Sequence, residues 1–420
     1  MSPLHSLATE AGLLIDWEDA AGDPQRVADA ALVAVLAALD LPADSAGAIA
    51  DSRRRLAEDQ AASCSFVSAD VGAPIGLAPG CLREGTVDLH LEDGTARPVA
   101  VMKAKSGLSV PPIDTPGYHR LVQGDRVLRL AIAPRRCFGI ADAAGSKRLW
   151  GTAVQIPSLR DATPRAFGDF GALACTARAF AENGADALAI SPVHALFPAD
   201  AERYSPYAPS SRLFLNILYG DPALAGAAVE EPASAELIDW RTAIPARLRQ
   251  LRAAFDARDD GVRAQVADYA RQGGDELLRH ARFDAVHAHF FRESGATGWQ
   301  GWPAAYHDPA GDAVARFAAE HAEDVDFYLF CQWLAKRSLD AAQRAATDGG
   351  MALGLIADLA VGMDGGGSHA WSRRDDLLTG LSLGAPPDLL GPEGQSWGIT
   401  GFSPRALQRT AFEPLSLIHI

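Results

Sequence analysis

The sequence has 420 residues, of which 48% are hydrophobic and 22% are charged. This length allows two or three domains with their own cores, and the composition excludes wholesale disorder. Its 38 Lys and Arg residues against 53 Asp and Glu residues give a net charge of −15. That charge disfavours nucleic acid and anionic lipid as partners, because both bind cationic surfaces. A neutral or cationic small molecule is the expected ligand.

The cysteines and the N-terminus indicate the cellular compartment. Five cysteines are widely spaced and form no CxxC pair, so neither a disulfide framework nor a thiolate metal site is indicated. The N-terminus lacks the pattern of a signal peptide, and the best apolar run, 30–39, is shorter than the roughly 20 residues that cross a bilayer. We therefore expect a cytoplasmic protein without a membrane partner, metal or cofactor.

Residues 1–62 predict a helical region. One helix is expected to begin at Asp23-Pro24, a capping residue followed by a first-turn proline, and to stop at Pro42. Its apolar positions recur every four residues, at Val27, Ala31, Val35 and Leu39.

Residues 63–147 change to the alternation typical of strands. The run from Val87 to Leu91 leads into Asp93-Gly94, a hairpin signal, and a second strand spans 127–132. We predict a β-sandwich-like domain. No aromatic platform that would mark a carbohydrate site stands out, so a structural role is expected.

Residues 148–414 alternate between strand and helix. Strands are predicted at 152–156, 187–190 and 353–361, with a helix at 169–183 closed by Gly184. A helical insert at about 222–347 precedes the third strand. Strands that alternate with helices pair in parallel, so the sequence predicts an α/β fold: a partial (β/α)₈ TIM barrel with a helical insertion, preceded by a helical and β-sandwich-like extension.

The loop after the second of these strands has an unusual sequence. Active sites of (β/α)₈ barrels lie at the carboxyl ends of the strands. Here the segment 204–216 is rich in proline, serine and tyrosine. Such a loop is rigid and offers hydroxyl groups and aromatic faces, which suit a sugar.

Four ordered motifs carry a resemblance to a known family. The stretch from Ser205 to Asn216, Ser-Pro-Tyr-Ala-Pro-Ser-Ser-Arg-Leu-Phe-Leu-Asn, resembles the signature loop of 4-α-glucanotransferases of the amylomaltase, or disproportionating-enzyme, family. The segments 150–170, 356–364 and 384–398 are similar to further motifs of that family, and the N-terminal region looks like an extension of many bacterial members. The resemblance implies transfer of α-1,4-glucan segments between maltooligosaccharides.

The resemblance also implies six glucan contacts. They are Ser205, Tyr207, Asp358, Asp388, Gln395 and Trp397. Their types fit, because aromatic rings stack on the C–H faces of sugars while carboxylates and amides bind hydroxyls. The alternative is that Ser205 and Tyr207 only form a tight turn and that Trp397 is a core residue. Leu389 stands where some members have a tyrosine, which predicts a reduced aromatic lid.

The catalytic carboxylates implied by the family are expected beyond the end of this chain. Retaining transfer needs two carboxyl groups about 5–5.5 Å apart, and the family places its nucleophile in an Arg-x-Asp-His motif on the fourth barrel strand. This sequence contains no such motif. Residues 415–420 look like a translated sequencing adapter. We therefore expect a truncated, poorly stable and inactive chain with no catalytic residue of its own.

Three other features could carry chemistry. The segment 282–287 contains Arg-Phe-Asp, which looks like the nucleophile motif of α-amylases, but its apolar residues follow helical spacing. His287 and His289 would lie on different faces of a helix and make a poor metal pair, and Gly365–Gly367 predicts a flexible turn. Two alternatives stay open: an α-amylase-like hydrolase that uses Asp284, and a non-catalytic glucan-binding protein.

Overall fold

The computed structural model describes residues 2–19, 21–62, 66–104, 107–145, 148–162, 165–226, 236–412 and 415. The chain divides into two compact units. The first contains 1–138, 375–397 and 402–420, and the second contains 139–374 and 398–401. Apart from Leu415, the predicted adapter tail lies outside the described residues.

The first unit begins with three helices and a small hairpin. In chain order these elements are α1 (Pro3–Glu10), β1 (Asp16–Glu18), β2 (Pro24–Arg26), α2 (Asp29–Ala38) and α3 (Ala46–Ala62). Strands β1 and β2 pair antiparallel. Leu7, Leu32 and Leu36 are central to their common core.

The prediction of a helix from Asp23-Pro24 was wrong. Pro24 lies in β2 opposite Glu18, and α2 begins only at Asp29. The buried residues of α2 are Leu32 and Leu36, which do not belong to the predicted apolar set. Nearly every residue of this helix is apolar, so its sequence spacing selects no face.

A sheet of seven strands follows. The strands are β3 (Phe66–Asp70), β4 (Ile75–Leu77), β5 (Gly85–His90), β6 (Ala96–Ala104), β7 (Gly107–Val110), β8 (Gly117–Gln123) and β9 (Arg126–Ala133). Their order is β3-β9-β8-β5-β6-β7-β4. The predicted hairpin at Asp93-Gly94 is confirmed, since β5 and β6 pair antiparallel around it. Val87 and Leu89 are buried as their alternation predicts.

One cysteine in this unit corrects the sequence interpretation. Cys81 is buried and disulfide-bonded, although the spacing of the cysteines indicated no disulfide. Its partner is not among the described residues. Cys137, Cys175 and Cys331 are free thiols.

The second unit alternates strands with helices. Its elements are α4 (Ile140–Ala144), β10 (Gly151–Val154), α5 (Phe170–Glu182), β11 (Ala187–Ile190), β12 (His194–Ala195), β13 (Ser211–Leu215), α6 (Trp240–Asp256), α7 (Asp260–Ser294), α8 (Asp312–Glu320), α9 (Ala322–Asp348), β14 (Gly354–Ala357) and α10 (Ser368–Ser372). After it the chain returns to the first unit with β15 (Gly384–Ala385), β16 (Gln395–Ser396) and α11 (Pro404–Arg409).

Three parallel strands form the sheet of the second unit, in the order β10-β11-β14. Val154, Ile190 and Ala357 lie side by side near their carboxyl ends. The predicted parallel α/β arrangement is confirmed for these strands, although β14 is shorter than predicted. The helical insert is confirmed as well, because α6, α7, α8 and α9 lie between β13 and β14. Among the described residues, no helix is both long and apolar enough to span a membrane.

A buried charge cluster joins the insert to the first helix of the sheet. Asp169 caps α5, since its Oδ1 accepts a hydrogen bond from the Ala172 amide at 3.0 Å. Its Oδ2 contacts the Arg165 guanidinium and accepts from Arg247 Nη1, on α6, at 3.1 Å. All three charged side chains are buried. Burial and the neighbouring Asp169 carboxylate raise the pKa of Asp221, which lies beside them.

Replacement of Asp169 should therefore be costly. We expect Asp169→Ala to lower the free energy of unfolding by about 3–5 kcal/mol, because two buried guanidinium groups lose the carboxylate that they share. Urea unfolding measures this loss. Asp259→Ala is the matched control: Asp259 caps α7 in the same way, with Oδ1 2.8 Å from the Val262 amide, but is exposed. It should cost only about 1 kcal/mol. Equal losses in the two variants would contradict the role of the cluster.

Candidate functional site

The serine-rich loop after β11 is fixed by its own backbone and by α10. Ser210 is fully buried, and its amide donates to the Ala195 carbonyl at 2.8 Å. Its hydroxyl accepts from the Ser368 amide at 2.8 Å. A Cβ atom at Gly367 would lie 2.4 Å from the Ser210 carbonyl oxygen, so this approach requires glycine. These contacts hold the loop at Ser210 against the start of α10.

Arg212 fixes the segment that follows β14. Its Nη1 donates to the Ala360 carbonyl at 2.8 Å and to the Val361 carbonyl at 3.1 Å. His194, also buried, places Nε2 3.4 Å from the Ala360 amide. Burial, and secondarily the Arg212 charge, lower the pKa of His194 to about 4, so this imidazole is neutral near pH 7. The two loops at the carboxyl edge of the sheet are thus held against each other.

Tyr207 and Asp358 meet at this edge. The Tyr207 hydroxyl donates to Asp358 Oδ2 at 3.1 Å, and the Asp358 amide donates to the Ile190 carbonyl at the end of β11. The ring of Tyr207 is 53% exposed. Burial, the hydrogen bond and the Asp358 charge raise the pKa of Tyr207. The pair presents an aromatic face and a carboxylate together to solvent.

Ser205 lies in the same turn as Tyr207. It is exposed, and its carbonyl accepts from the Ala208 amide at 3.4 Å. The tight turn of the alternative interpretation is therefore present. It does not bury the tyrosine ring, so turn formation and ligand contact are compatible here.

The other three predicted contacts lie in the first unit, on the β15–β16 hairpin. Asp388 Oδ1 accepts from the Leu390 and Gly391 amides at 2.8 and 2.6 Å, which shapes the hairpin loop. Gln395 Oε1 accepts from Trp397 Nε1 at 3.0 Å. Trp397 is 45% exposed, so it is not a core residue. Leu389, at the predicted reduced lid, is 85% exposed.

Sequence reasoning missed an ion pair of Arg203, which precedes the loop 205–216. Arg203 pairs with Asp364 and donates to the Thr297 carbonyl at 2.6 Å. Its guanidinium lies 3.4 Å from the centre of the Phe197 ring. Asp364 is the last residue of the motif 356–364, so the sequence marks it as a candidate. Its partner, Arg203, lies 161 positions away in the sequence, so the pairing itself could not be predicted.

The Arg-Phe-Asp segment lies within α7, which confirms the helical interpretation. Asp284 is buried, and burial raises its pKa well above the ordinary value. His280, one turn earlier, places Nδ1 2.7 Å from Ser368 Oγ and Nε2 3.2 Å from Gln332 Nε2. Because the Gln332 side-chain amide donates to Nε2, the proton of this imidazole lies on Nδ1. A buried acid with a raised pKa inside a helix is not placed to attack a glucan.

The remaining sequence candidates have structural roles. His287 is buried within α7, and its Nε2 lies 3.3 Å from the Thr297 carbonyl oxygen. Within the described ranges, no three His, Cys, Asp or Glu side chains are grouped to hold a metal ion. The glycine run forms a hydrogen-bonded turn, since the Gly365 carbonyl accepts from Trp299 Nε1 at 3.1 Å and Gln300 Nε2 at 2.8 Å.

Comparisons with known proteins agree with the fold and the motifs. The sequence profile described as 4-alpha-glucanotransferase matches residues 154–417. A 4-alpha-glucanotransferase of Haemophilus influenzae is 31% identical over 346 residues, which cover 75% of this chain and 49% of that protein. One from Mycobacterium tuberculosis is 30% identical over an alignment of 462 residues, which covers 98% of this chain and 62% of that protein.

Solved structures give the same result. The crystal structure of amylomaltase from Corynebacterium glutamicum matches 99% of this chain and 63% of its own, with a TM-score of 0.77 and 26% identity. Amylomaltase from Streptococcus agalactiae in complex with acarbose covers 64% of this chain and 55% of its own, with a TM-score of 0.56 and 19% identity, which supports the fold alone.

The parallel sheet and its motif-bearing loops define an α/β protein with the amylomaltase type of fold. The chain belongs to the 4-alpha-glucanotransferase family. It spans 49% and 62% of the lengths of the two curated relatives described above.

The state of Asp284 can be tested by its pH dependence. The pKa of Asp284 is higher in the folded chain than in the unfolded chain. Its carboxyl therefore contributes fully to stability below the pKa of the unfolded chain, and this contribution is lost as the pH rises through the pKa of the folded chain. Asp284→Asn cannot ionise. We therefore expect the free energy of unfolding of this variant, relative to the original chain, to increase between about pH 4 and about pH 7. Urea unfolding at both pH values measures it, and a constant difference would contradict a raised pKa.

Proposed function

We propose that this chain is the glucan-binding portion of a cytoplasmic 4-α-glucanotransferase. That enzyme moves α-1,4-glucan segments between maltooligosaccharides by retaining double displacement. The observation that carries the proposal is the Tyr207–Asp358 pair at the carboxyl edge of the parallel sheet. The family match supports it. In this proposal, β10, β11 and β14 are the first three strands of a (β/α)₈ barrel.

The chemistry of the six residues supports glucan as the ligand. Tyr207 and Trp397 are large aromatic residues that stay about half exposed, and exposed rings stack on the apolar faces of sugars. Asp358 and Asp388 offer carboxylate oxygens, and Gln395 an amide, for sugar hydroxyls. Loops held by Arg212 and Ser210 need little ordering when a ligand binds, so less binding energy is lost to entropy.

In this proposal the catalytic carboxylates lie outside this chain. Retaining transfer uses a nucleophile and an acid/base about 5–5.5 Å apart, and the sequence has no Arg-x-Asp-His motif. We therefore propose that the chain alone binds maltooligosaccharides without turning them over. The hydrolase alternative is disfavoured, because its nucleophile, Asp284, is buried within a helix.

The test separates binding from turnover. Purified chain is incubated with maltotriose, and the products are resolved by chromatography. We expect neither glucose nor longer oligomers. Longer oligomers would contradict the proposed inactivity but support transfer, whereas new reducing ends without longer products would support the hydrolase.

Binding of maltoheptaose, measured by calorimetry, tests the site residues. We expect Tyr207→Ala and Trp397→Ala each to weaken binding by about ten-fold or more, since each removes a stacking surface. Leu389→Ala is the control: it deletes a more exposed apolar side chain of the hairpin loop and should leave affinity within about two-fold. Unchanged affinity in both aromatic variants, or no binding by the original chain, would contradict the assignment.

A further inference from the structure

A cavity of about 270 Å³ lies in the helical insert, between α6, the end of α7 and the start of α9. None of the six predicted glucan contacts lines it. The arginine, histidine and carboxylate residues that line it are Arg249, Arg252, His289, Arg292, His321 and Asp324. The chain as a whole has more acidic than basic residues, 53 against 38. This cavity reverses that balance, with three guanidinium groups facing one carboxylate.

The single carboxylate is already engaged. Asp324 Oδ1 accepts from Arg252 Nη2 at 2.7 Å, and its Oδ2 lies 3.7 Å from His321 Nδ1. The Arg252 guanidinium also lies 4.1 Å from the centre of the Phe327 ring. Arg252 is thus fixed in place from two sides. Asp324 balances this arginine, whose Nη1 also lies 4.0 Å from Glu323 Oε1.

Two arginines remain without a counter-charge. Neither Arg249 nor Arg292 forms an ion pair with a residue in the described part of the chain. Each stands three positions from another lining residue of its own helix, Arg252 on α6 and His289 on α7, so both project from the faces that line the cavity. His289 Nδ1 is buried and has no hydrogen-bond partner there. Its Nε2 lies 3.4 Å from Glu293 Oε1, so among the described residues the cations without a partner at this cavity are Arg249 and Arg292.

We propose that this cavity binds the phosphoryl group of a small phosphomonoester. Guanidinium groups match phosphate oxygens in charge and geometry, and a dianion would neutralise Arg249 and Arg292 together. Arg249 on α6 and Arg292 on α7 would both donate hydrogen bonds to its oxygens. The apolar wall, formed by Leu248, Ala285 and Ala288, suits the organic part of such a molecule. This anion site is separate from the proposed glucan contacts.

The test titrates the full chain with inorganic phosphate, glucose 6-phosphate and glucose at constant ionic strength, which keeps charge screening equal. Calorimetry reports binding, and thermal unfolding reports stabilisation. Both phosphates should bind and raise the unfolding temperature, while glucose should have no effect at this cavity. Absence of binding by both phosphates would overturn the proposal.

Variants locate the site. Arg249→Gln and Arg292→Gln should each weaken phosphate binding by about ten-fold or more, since each removes a charged hydrogen bond. Arg292→Lys, which keeps the charge, should retain part of the affinity. Arg271→Gln is the control, because Arg271 is an exposed arginine of α7 paired with Asp268; its phosphate affinity should not change.

Two further outcomes decide specificity and independence. Phosphate affinity that survives the double variant Arg249→Gln/Arg292→Gln would overturn the site, as would malonate binding as tightly as phosphate. Maltoheptaose affinity should be the same in the double variant and in the original chain. That measurement separates failure of the anion site from failure of the proposed glucan site, since each is read with its own ligand.

Discussion

The second unit depends on one buried carboxylate, Asp169. It caps α5 and neutralises guanidinium groups from Arg165 and Arg247, so it ties the sheet helix to the insert. Two glycines next to Asp169 in the sequence are required by close contacts. A Cβ atom at Gly168 would lie 2.1 Å from the Ile156 carbonyl oxygen, and one at Gly171 would lie 2.5 Å from Asp221 Oδ2. The stretch Gly168-Asp169-Phe170, which lies in the family-like segment 150–170, therefore has a folding role.

The geometry at the carboxyl edge of the sheet follows from this framework. Gln332, on α9, binds both backbone groups of Leu215, accepting at 3.2 Å and donating at 2.8 Å. Arg212 then binds the carbonyls beyond β14. The exposed Tyr207–Asp358 pair rests on these buried contacts, although none of the supporting side chains faces solvent. The position of this pair is therefore set by the core, because a packed interior adjusts little to a change at its edge.

Elements with local signals could be predicted from the sequence, and those set by distant partners could not. Helix α5 has its cap at Asp169 and its terminating Gly184 within its own segment, so its bounds were predictable. Helix α2 is apolar on every side, and its start and face are decided by packing. The family motifs identified Tyr207 and Asp358 as candidates. The hydrogen bond between them joins residues that are 151 positions apart in the sequence. It depends on the tertiary fold, as does the disulfide at Cys81, so local sequence signals do not predict either.

The position of the helical insert has a consequence for how the chain acquires its fold. Strands β11 and β14 are neighbours in the sheet, yet Ile190 ends one and Gly354 begins the other, a separation of 354 − 190 = 164 positions. Non-local pairing of this kind slows folding, because the intervening loop must close before any contact rewards it. Most of the buried apolar side chains of the insert belong to one cluster, which also includes Phe197, Ile217 and Trp371, and its early formation would shorten the effective loop. Helices that contribute no strand to the sheet would then set the rate at which its strands pair.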